Sequence, residues 1–299
     1  MRIAVIGCGY WGKNHVKTLG ELGYLHGACD SDFSKIEFLH DYPMPESINY
    51  KALLGLPEID AIVIATPANT HYRIAMDALR AGKHVLVEKP MALSVEEVGD
   101  IGSLAKEKSV VAMVGHTFLY SPAVRYVKQL VDSGELGNIL YVYAQRLNWG
   151  IVRPDVNALW SLGVHDISII QYWLGDLSEP ASISKTGVDF IKSGIEDVVF
   201  LNIVYPDNLM INIHVSWLDH HKTRRITVVG TRKMVVYDNM AEKKISIFDN
   251  GDVAQPEIEQ KEPLKEEIKH FIDCIANGSK CLTDTEHAKK VIKTLSRAK

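Results

Sequence analysis

The chain has 299 residues, 46% of them hydrophobic and 23% charged, with 33 Lys and Arg against 37 Asp and Glu for a net charge of −4 with His neutral. That length accommodates two ordinary domains, and the balance of apolar and charged residues excludes a disordered chain. No basic excess points to nucleic acid or an anionic membrane, and the opening apolar run breaks at Gly7, too early for a signal peptide or a membrane span, so a cytoplasmic protein is expected. Four cysteines without metal-ligand spacing read as reduced thiols, with neither a disulfide frame nor a metal site.

Arg2 to Ile6 reads as a strand that breaks into Gly7-Cys8-Gly9-Tyr10-Trp11-Gly12 and then into a helix from Asn14 to Leu22. This is the G-x-G-x-x-G pattern between a strand and a helix. Gly7 permits the tight turn, Gly9 lets the backbone approach a pyrophosphate, and Gly12 lets the helix pack on the strand with its N–H groups toward the phosphates. Tyr10 and Trp11 lie inside that loop and count as cofactor contacts. A second apolar stretch, Tyr24 to Cys29, ends in Asp30, 23 residues after Gly7, where a carboxylate meets the adenosine ribose hydroxyls. Ser31 and Asp32 follow it, so a 2′-phosphate would face carboxylates and no arginine. NAD is expected over NADP.

Ser34 to Leu39 reads as a short helix, Asp41 to Ser47 as a loop and Tyr50 to Leu56 as a helical turn. Asp60 to Ala65 is a nearly continuous β-branched run of the kind buried on both faces of a parallel sheet. It ends in Thr66-Pro67-Ala68-Asn69-Thr70-His71, where Thr66, Pro67, Asn69 and His71 are candidate cofactor contacts; His71 reads either as a solvent-facing residue of a first helical turn or as a neighbour of the nicotinamide. A helix from Tyr72 to Ala81 then leads through Gly82 to a strand that delivers Glu88, Lys89 and Pro90 to the carboxyl end of the sheet, where open α/β sheets place their chemistry. Glu88 and Lys89 are therefore added to the cofactor contacts. Ser94 caps a helix to about Lys108, and Val110 to Val114 is one more buried strand. The first domain closes near Phe118.

Beyond it, Ser121-Pro122 opens a helix to Val131, and the pattern changes to long alternating strands at 139–147, 181–190, 198–205, 209–218, 225–229 and 234–237, which predict an antiparallel sheet. In one of them Ile211, Ile213, Val215 and Trp217 take one face and Asn212, His214 and Ser216 the other. Leu159 to Leu174 has apolar residues at helical spacing, interrupted by His165 and Asp166. Two amphipathic helices, Pro263 to Ala276 and Thr285 to Arg297, close the chain across an Asn277-Gly278 turn.

These residues resemble the glucose-fructose oxidoreductase, inositol dehydrogenase and rhizopine-catabolism family of NAD(P)-dependent dehydrogenases. The likeness runs through GCGYWG near the start, ATPANTH after the third long strand, VEKP at 87 to 90, GELG at 134 to 137, the His165 helix and LTDTEHA at 282 to 288. It implies an N-terminal Rossmann domain of doubly wound parallel sheet over 1–118, with a return helix at about 283–299. It also implies a C-terminal α+β domain over 119–282 with an open-faced, mostly antiparallel sheet. A cis peptide at Lys89-Pro90 is implied too, aiming the lysine toward a cleft.

The resemblance makes Lys89 and His165 the proton-transfer pair. Burial and the cationic nicotinamide would both make a neutral Lys89 amine accessible, and His165 would accept or relay the proton. The family commonly carries an aspartate four residues before that histidine, on the same helical face, and this chain has Ser161 there. Asp166 points roughly 100° away around a helix and does not replace it. The stretches around Trp160, His165, Gly115 to Tyr120 and Gln145 to Asn148 resemble the branch acting on nucleotide-linked amino sugars, which implies oxidation at the 3-hydroxyl of a sugar such as UDP-N-acetylglucosamine. Free polyols and inositols are the competing substrates on the same scaffold, and a non-catalytic NAD-binding sensor would need neither Lys89 nor His165.

Tyr120, Arg146, Asn148 and Ser161 join Lys89 and His165 as candidate substrate contacts, Arg146 being suited equally to a phosphate and to a salt bridge. Asp284 and His287 read as capping and packing residues. The open sheet face is expected to join copies of the chain into a homodimer or homotetramer.

Overall fold

The computed structural model describes residues 1–41, 46–47, 49–150 and 152–298. Most of the loop expected at Asp41 to Ser47 lies outside them. The chain divides into two compact units, Met1–His116 with Leu264–Lys293, and Thr117–Pro263 with Thr294–Lys299.

The first unit alternates strand and helix: β1 (Ile3–Ile6), α1 (Tyr10–Glu21), β2 (Leu25–Cys29), β3 (Glu46–Ser47), α2 (Tyr50–Leu54), β4 (Ala61–Ile64), α3 (Ala68–Arg80), β5 (His84–Glu88), α4 (Val95–Lys108) and β6 (Ala112–Gly115). The strands form one parallel sheet in the order β3-β2-β1-β4-β5-β6. Strand order reverses between β1 and β4, and a doubly wound sheet binds its ligands at that point, outside the carboxyl ends of the strands. β1 and β4 are buried along their whole length because helices cover both faces, which is why their sequences run apolar without alternation.

Both helices at the switch point start earlier than the sequence predicts. α1 begins at Tyr10, directly after Gly9, with Lys13 N–H donating to Gly9 O at 3.0 Å; α3 begins at Ala68, with Thr70 N–H donating to Pro67 O at 2.9 Å. Tyr10, Trp11 and Asn69 are thus first-turn helix residues, not loop residues, and His71 lies in the first turn of α3. The reason is that glycine and proline, which read as loop, here form helix starts.

The second unit carries α5 (Pro122–Asp132), β7 (Ile139–Trp149), a π-helical turn (Leu159–Gly163), α6 (Val164–Leu174), β8 (Ser182–Val188), β9 (Val198–Val204), β10 (Met210–Ser216), β11 (Leu218–Gly230), β12 (Met234–Asp238), β13 (Ile245–Asp249) and β14 (Asp252–Ala254). They make an eight-stranded sheet in the order β14-β13-β12-β11-β7-β10-β9-β8, antiparallel except where β7 and β10 run parallel. Ile211, Ile213, Val215 and Trp217 are all buried, as the alternation predicts. α6 packs on β7 and α5 on β12, and Trp173 of α6 is fully buried with its indole N–H on Val124 O at 2.8 Å.

The chain closes with α7 (Pro263–Asn277) and α8 (Thr285–Arg297). Sequence reading places α7 with the second domain, but it belongs to the first unit, where Lys265 pairs with Glu21 of α1 and the strand residue Val114 donates to Thr283 O at 2.9 Å. An amphipathic helix announces only that it has a partner surface, not which one. Among the described residues no helix is long and apolar enough to cross a membrane.

Candidate active site

The glycine loop is held by space as much as by conformation. Gly7 has φ +93°, and a Cβ there would lie 2.6 Å from Ala65 O at the end of β4. A Cβ on Gly12 would fall 1.8 Å from Gly7 O, so α1 approaches the loop only because Gly12 has no side chain. At Gly9 a Cβ would meet nothing within 4 Å, leaving the end of α1 open where an anion would come. Asp30 completes the cradle: one carboxylate oxygen accepts from Cys8 N–H at 2.8 Å and the other from Asp32 N–H at 2.9 Å. These contacts fix a nearly buried carboxylate beside the loop, and each oxygen keeps a lone pair for a ribose hydroxyl. Tyr10 is 83% exposed and meets Trp11 edge to face at 6.0 Å. The residues present fit a dinucleotide.

Two further strand ends reach this edge of the sheet. After β4, Thr66 is half-buried and Pro67 and Asn69 are exposed, so all three are accessible beside the loop. His71 is not: it is 1% exposed, with Nδ1 at 2.8 Å from Pro90 O and Nε2 at 2.8 Å from Thr66 O. The solvent-facing reading of His71 is therefore corrected; its ring ties the two strand ends together.

After β5, Lys89 is half-buried and its peptide to Pro90 is cis. Its N–H donates to Glu88 Oε2 at 3.2 Å, and Glu88 Oε1 lies 2.8 Å from Nε2 of the fully buried His15 on α1. Burial pushes the Glu88 carboxyl up, but the His15 hydrogen bond and charge, with Lys89, more than offset this and hold it below the usual range. Glu88 is buried, its carboxylate held between His15 of α1 and the Lys89 N–H, so it supports the Lys89 turn from behind.

β6 ends in Gly115, where a Cβ would come within 3.4 Å of Glu88, and in His116, which meets His287 of α8 edge to face at 5.1 Å. Burial holds both imidazoles neutral, His116 well below its usual range and His287 at about 4, the latter partly countered by Asp284. His287 N–H donates to Asp284 Oδ1 at 2.9 Å, a helix-start contact in line with the capping and packing role expected of both.

In the second unit His165 stands on the first turn of α6, half-buried, its ring edge-on to Phe118 at 4.9 Å. Ser161 is buried inside the π-helical turn just before it, where Val164 N–H reaches back five residues to Leu159 O. The four-residue spacing of Ser161 and His165 therefore crosses a wider turn than the α geometry the sequence argument assumes, and single π turns recur at functional sites. Arg146 is 2% exposed: Nε donates to Asp166 at 3.1 and 3.0 Å and Nη2 at 2.8 Å, while its guanidinium lies 4.7 Å above the Phe118 ring. Of the two readings of Arg146, the structure shows the salt bridge, and a buried one. Burial still leaves the Asp166 carboxyl above its usual range, although Arg146 pulls it down.

Tyr120 is also buried, under the Arg125 guanidinium at 5.3 Å, and neither it nor Arg146 presents a donor to solvent. Asn148, at the end of β7, is half-buried and remains accessible.

Sequence reading passed over His15 and Phe118. His15 carried a signal, a polar residue on the Gly12, Val16, Leu19 face that α1 buries. Phe118 carried only its place after the last parallel strand, within the Gly115 to Tyr120 stretch that bears the resemblance.

Two family models match the chain: an oxidoreductase family with an NAD-binding Rossmann fold over residues 1–116, and the GFO/IDH/MocA C-terminal domain over residues 124–236. Among curated proteins, the UDP-N-acetylglucosamine 3-dehydrogenase of Acidithiobacillus ferrooxidans is 25% identical over 98% of this chain and 94% of its own length. The scyllo-inositol 2-dehydrogenase (NAD(+)) of Bacillus subtilis is 26% identical over 74% of this chain and 69% of its own. A solved structure of the Acidithiobacillus enzyme superposes with a TM-score of 0.89, covering 99% of this chain and 96% of that one.

Proposed function

Because the chain belongs to the GFO/IDH/MocA oxidoreductase family, we propose that it transfers a hydride between a nicotinamide cofactor and a secondary hydroxyl of a sugar, the preferred substrate being a nucleotide-linked amino sugar such as UDP-N-acetylglucosamine oxidised at its 3-hydroxyl. The observation that carries the substrate is the end-to-end match to a UDP-N-acetylglucosamine 3-dehydrogenase. Free polyols are the competing class, since an inositol dehydrogenase matches three quarters of the chain at similar identity. Ser161, where polyol-active relatives tend to carry aspartate, favours the first reading.

NAD is the proposed cofactor. It supplies the hydride acceptor at its nicotinamide C4 when bound. Gly7, Gly9 and Gly12 admit its pyrophosphate, and the fixed Asp30 carboxylate takes the adenosine ribose hydroxyls and repels a 2′-phosphate. Lys35, the nearest cation downstream, is engaged by Asp32 at 3.7 Å. Lys89 contacts the reacting hydroxyl and takes its proton as the carbinol hydride leaves, and His165 accepts or relays that proton. Without an acid at position 161, His165 bears more of this transfer.

The test follows nicotinamide reduction by the purified protein against UDP-N-acetylglucosamine, its 6-carboxylate, myo-inositol and glucose, with NAD and NADP separately. Reduction of NAD by the nucleotide sugar is expected. Turnover of the free polyols alone would sink the substrate, and equal use of NADP would sink the cofactor preference.

The sheet of the second unit leaves Tyr141, Tyr143, Phe200 and Met210 each about two-fifths exposed on one face, with Phe200 stacked on His214 at 4.0 Å. A contiguous aromatic face of this kind is proposed to join copies of the chain into a dimer or tetramer. Light scattering should give a mass of at least two chains; a mass of one chain would count against this.

A further inference from the structure

His71 presents each of its two ring nitrogens to a main-chain carbonyl, Nδ1 to Pro90 O and Nε2 to Thr66 O, both at 2.8 Å. A carbonyl oxygen only accepts, and a neutral imidazole has one N–H. In either neutral tautomer one contact would set a ring lone pair against a carbonyl lone pair at hydrogen-bond distance, in a site where the residue is 1% exposed. Rotating the ring by half a turn gives no relief. It exchanges each nitrogen for a carbon and sets C–H groups against the same two oxygens. Only the doubly protonated ring satisfies both contacts.

We propose that His71 is a positioning residue held as an imidazolium, a buried cation that ties the Lys89–Pro90 turn to the end of β4 and lowers the proton affinity of the Lys89 amine. The protonation state rests on His71's own geometry, while its effect on chemistry rests on the proposed role of Lys89.

Ionisable groups reach His71's surroundings from α3 itself, which carries Arg73, Asp77 and Arg80, and from the elements packed on it. α3 packs on β4, β5 and α4. β4 carries no ionisable side chain. β5 brings His84 at its far end and Glu88, with Lys89 just beyond; Glu88 is directed to His15 of α1. α4 brings Asp100, which accepts from Tyr72 OH at 2.8 Å, and Glu97, which accepts from Leu93 N–H at 3.0 Å. His116, at the end of β6, is neutral. Glu88 and His71 therefore act on Lys89 with opposite sign, Glu88 meeting the turn at the Lys89 N–H and His71 at Pro90 O. Glu88 favours the ammonium and His71 favours the amine that a proton acceptor needs.

The test is nitrogen-15 NMR of histidine-labelled, NAD-loaded protein, with the His71 signals identified by their loss in His71→Gln. Both ring nitrogens are expected in the protonated range at pH 8. A neutral pattern, one nitrogen protonated and one bare, would overturn the assignment. The Lys89 amine is followed separately by carbon-13 NMR of its ε-carbon, assigned through Lys89→Arg, and needs no substrate. In His71→Gln its midpoint should rise by about one pH unit, since a neighbouring positive charge is gone. An unmoved midpoint in a folded variant would overturn the electrostatic role. Should His71→Gln not fold, the remaining histidine signals are assigned by replacing the other histidines in turn, and the wild-type spectrum still decides the charge state. A failure of Lys89 as the proton acceptor would show in turnover of Lys89→Ala and leave the His71 spectrum unchanged.

Discussion

Replacing Lys89 by alanine should lower turnover by about 10²–10⁴-fold, the range that a positioned acid–base group contributes, while NAD binding is retained. The two effects separate because different parts of the first unit carry them. On the proposed reading, cofactor affinity rests mainly on the Gly7–Gly12 loop and the Asp30 carboxylate, which the substitution does not touch. The turn itself also survives, since it is held through main-chain atoms: Lys89 N–H on Glu88 at 3.2 Å and Pro90 O on His71 at 2.8 Å. Only the amine is lost. Calorimetric titration with NAD and steady-state rates with UDP-N-acetylglucosamine read the two quantities separately, and full turnover in the variant would remove Lys89 from the mechanism.

What was legible in the sequence was local. β1, the glycine loop, Asp30 and the ends of β4 and β5 are each written in a few consecutive residues, because a buried parallel strand must be apolar throughout and a close helix approach must use glycine. Five of the six parallel strands follow from that alternation; β3 at Glu46–Ser47 falls in a stretch that reads as loop, and its strand character comes from pairing with β2. Long-range pairings left weaker traces. His15 and Glu88 are separated by 73 residues, and only a histidine on the buried stripe of α1 hinted at a partner.

In the second unit the π-helical turn at Leu159–Gly163 was invisible, since LWSLG is as compatible with an α-helix. That turn sets how Ser161 is disposed relative to His165, so a spacing argument that assumes 3.6 residues per turn misplaces Ser161, while His165 and Asp166 keep α-helical spacing within α6. β13 and β14 escaped because Ile245 to Asp249 is short and sits among lysines and aspartates, its strand character arising from pairing with β12.

The Arg146–Asp166 pair has the largest expected effect on stability. Arg146→Met strands a carboxylate that is fully buried, and breaking a buried pair from one side costs about 3–5 kcal/mol. For a unit of this size that lowers the melting transition by roughly 10 °C. Removing both charges, as Arg146→Met with Asp166→Leu, should restore much of the loss, because burial already works against the Asp166 carboxylate even with the guanidinium on it.

The double-mutant cycle should therefore show a coupling of about 2 kcal/mol or more, measured by calorimetric melting of the four proteins. The same guanidinium lies on one side of Phe118 at 4.7 Å while His165 meets that ring at 4.9 Å, so its loss loosens the support of the imidazole. The single variant should lose kcat at temperatures where it is still folded, and the double variant should not regain it, since the closer of the two guanidiniums over Phe118 is missing from both and only Arg224, at 6.0 Å, remains. Additive melting shifts in the cycle would show that the pair is not a coupled unit. Full kcat in Arg146→Met would separate His165 from the Phe118 contact.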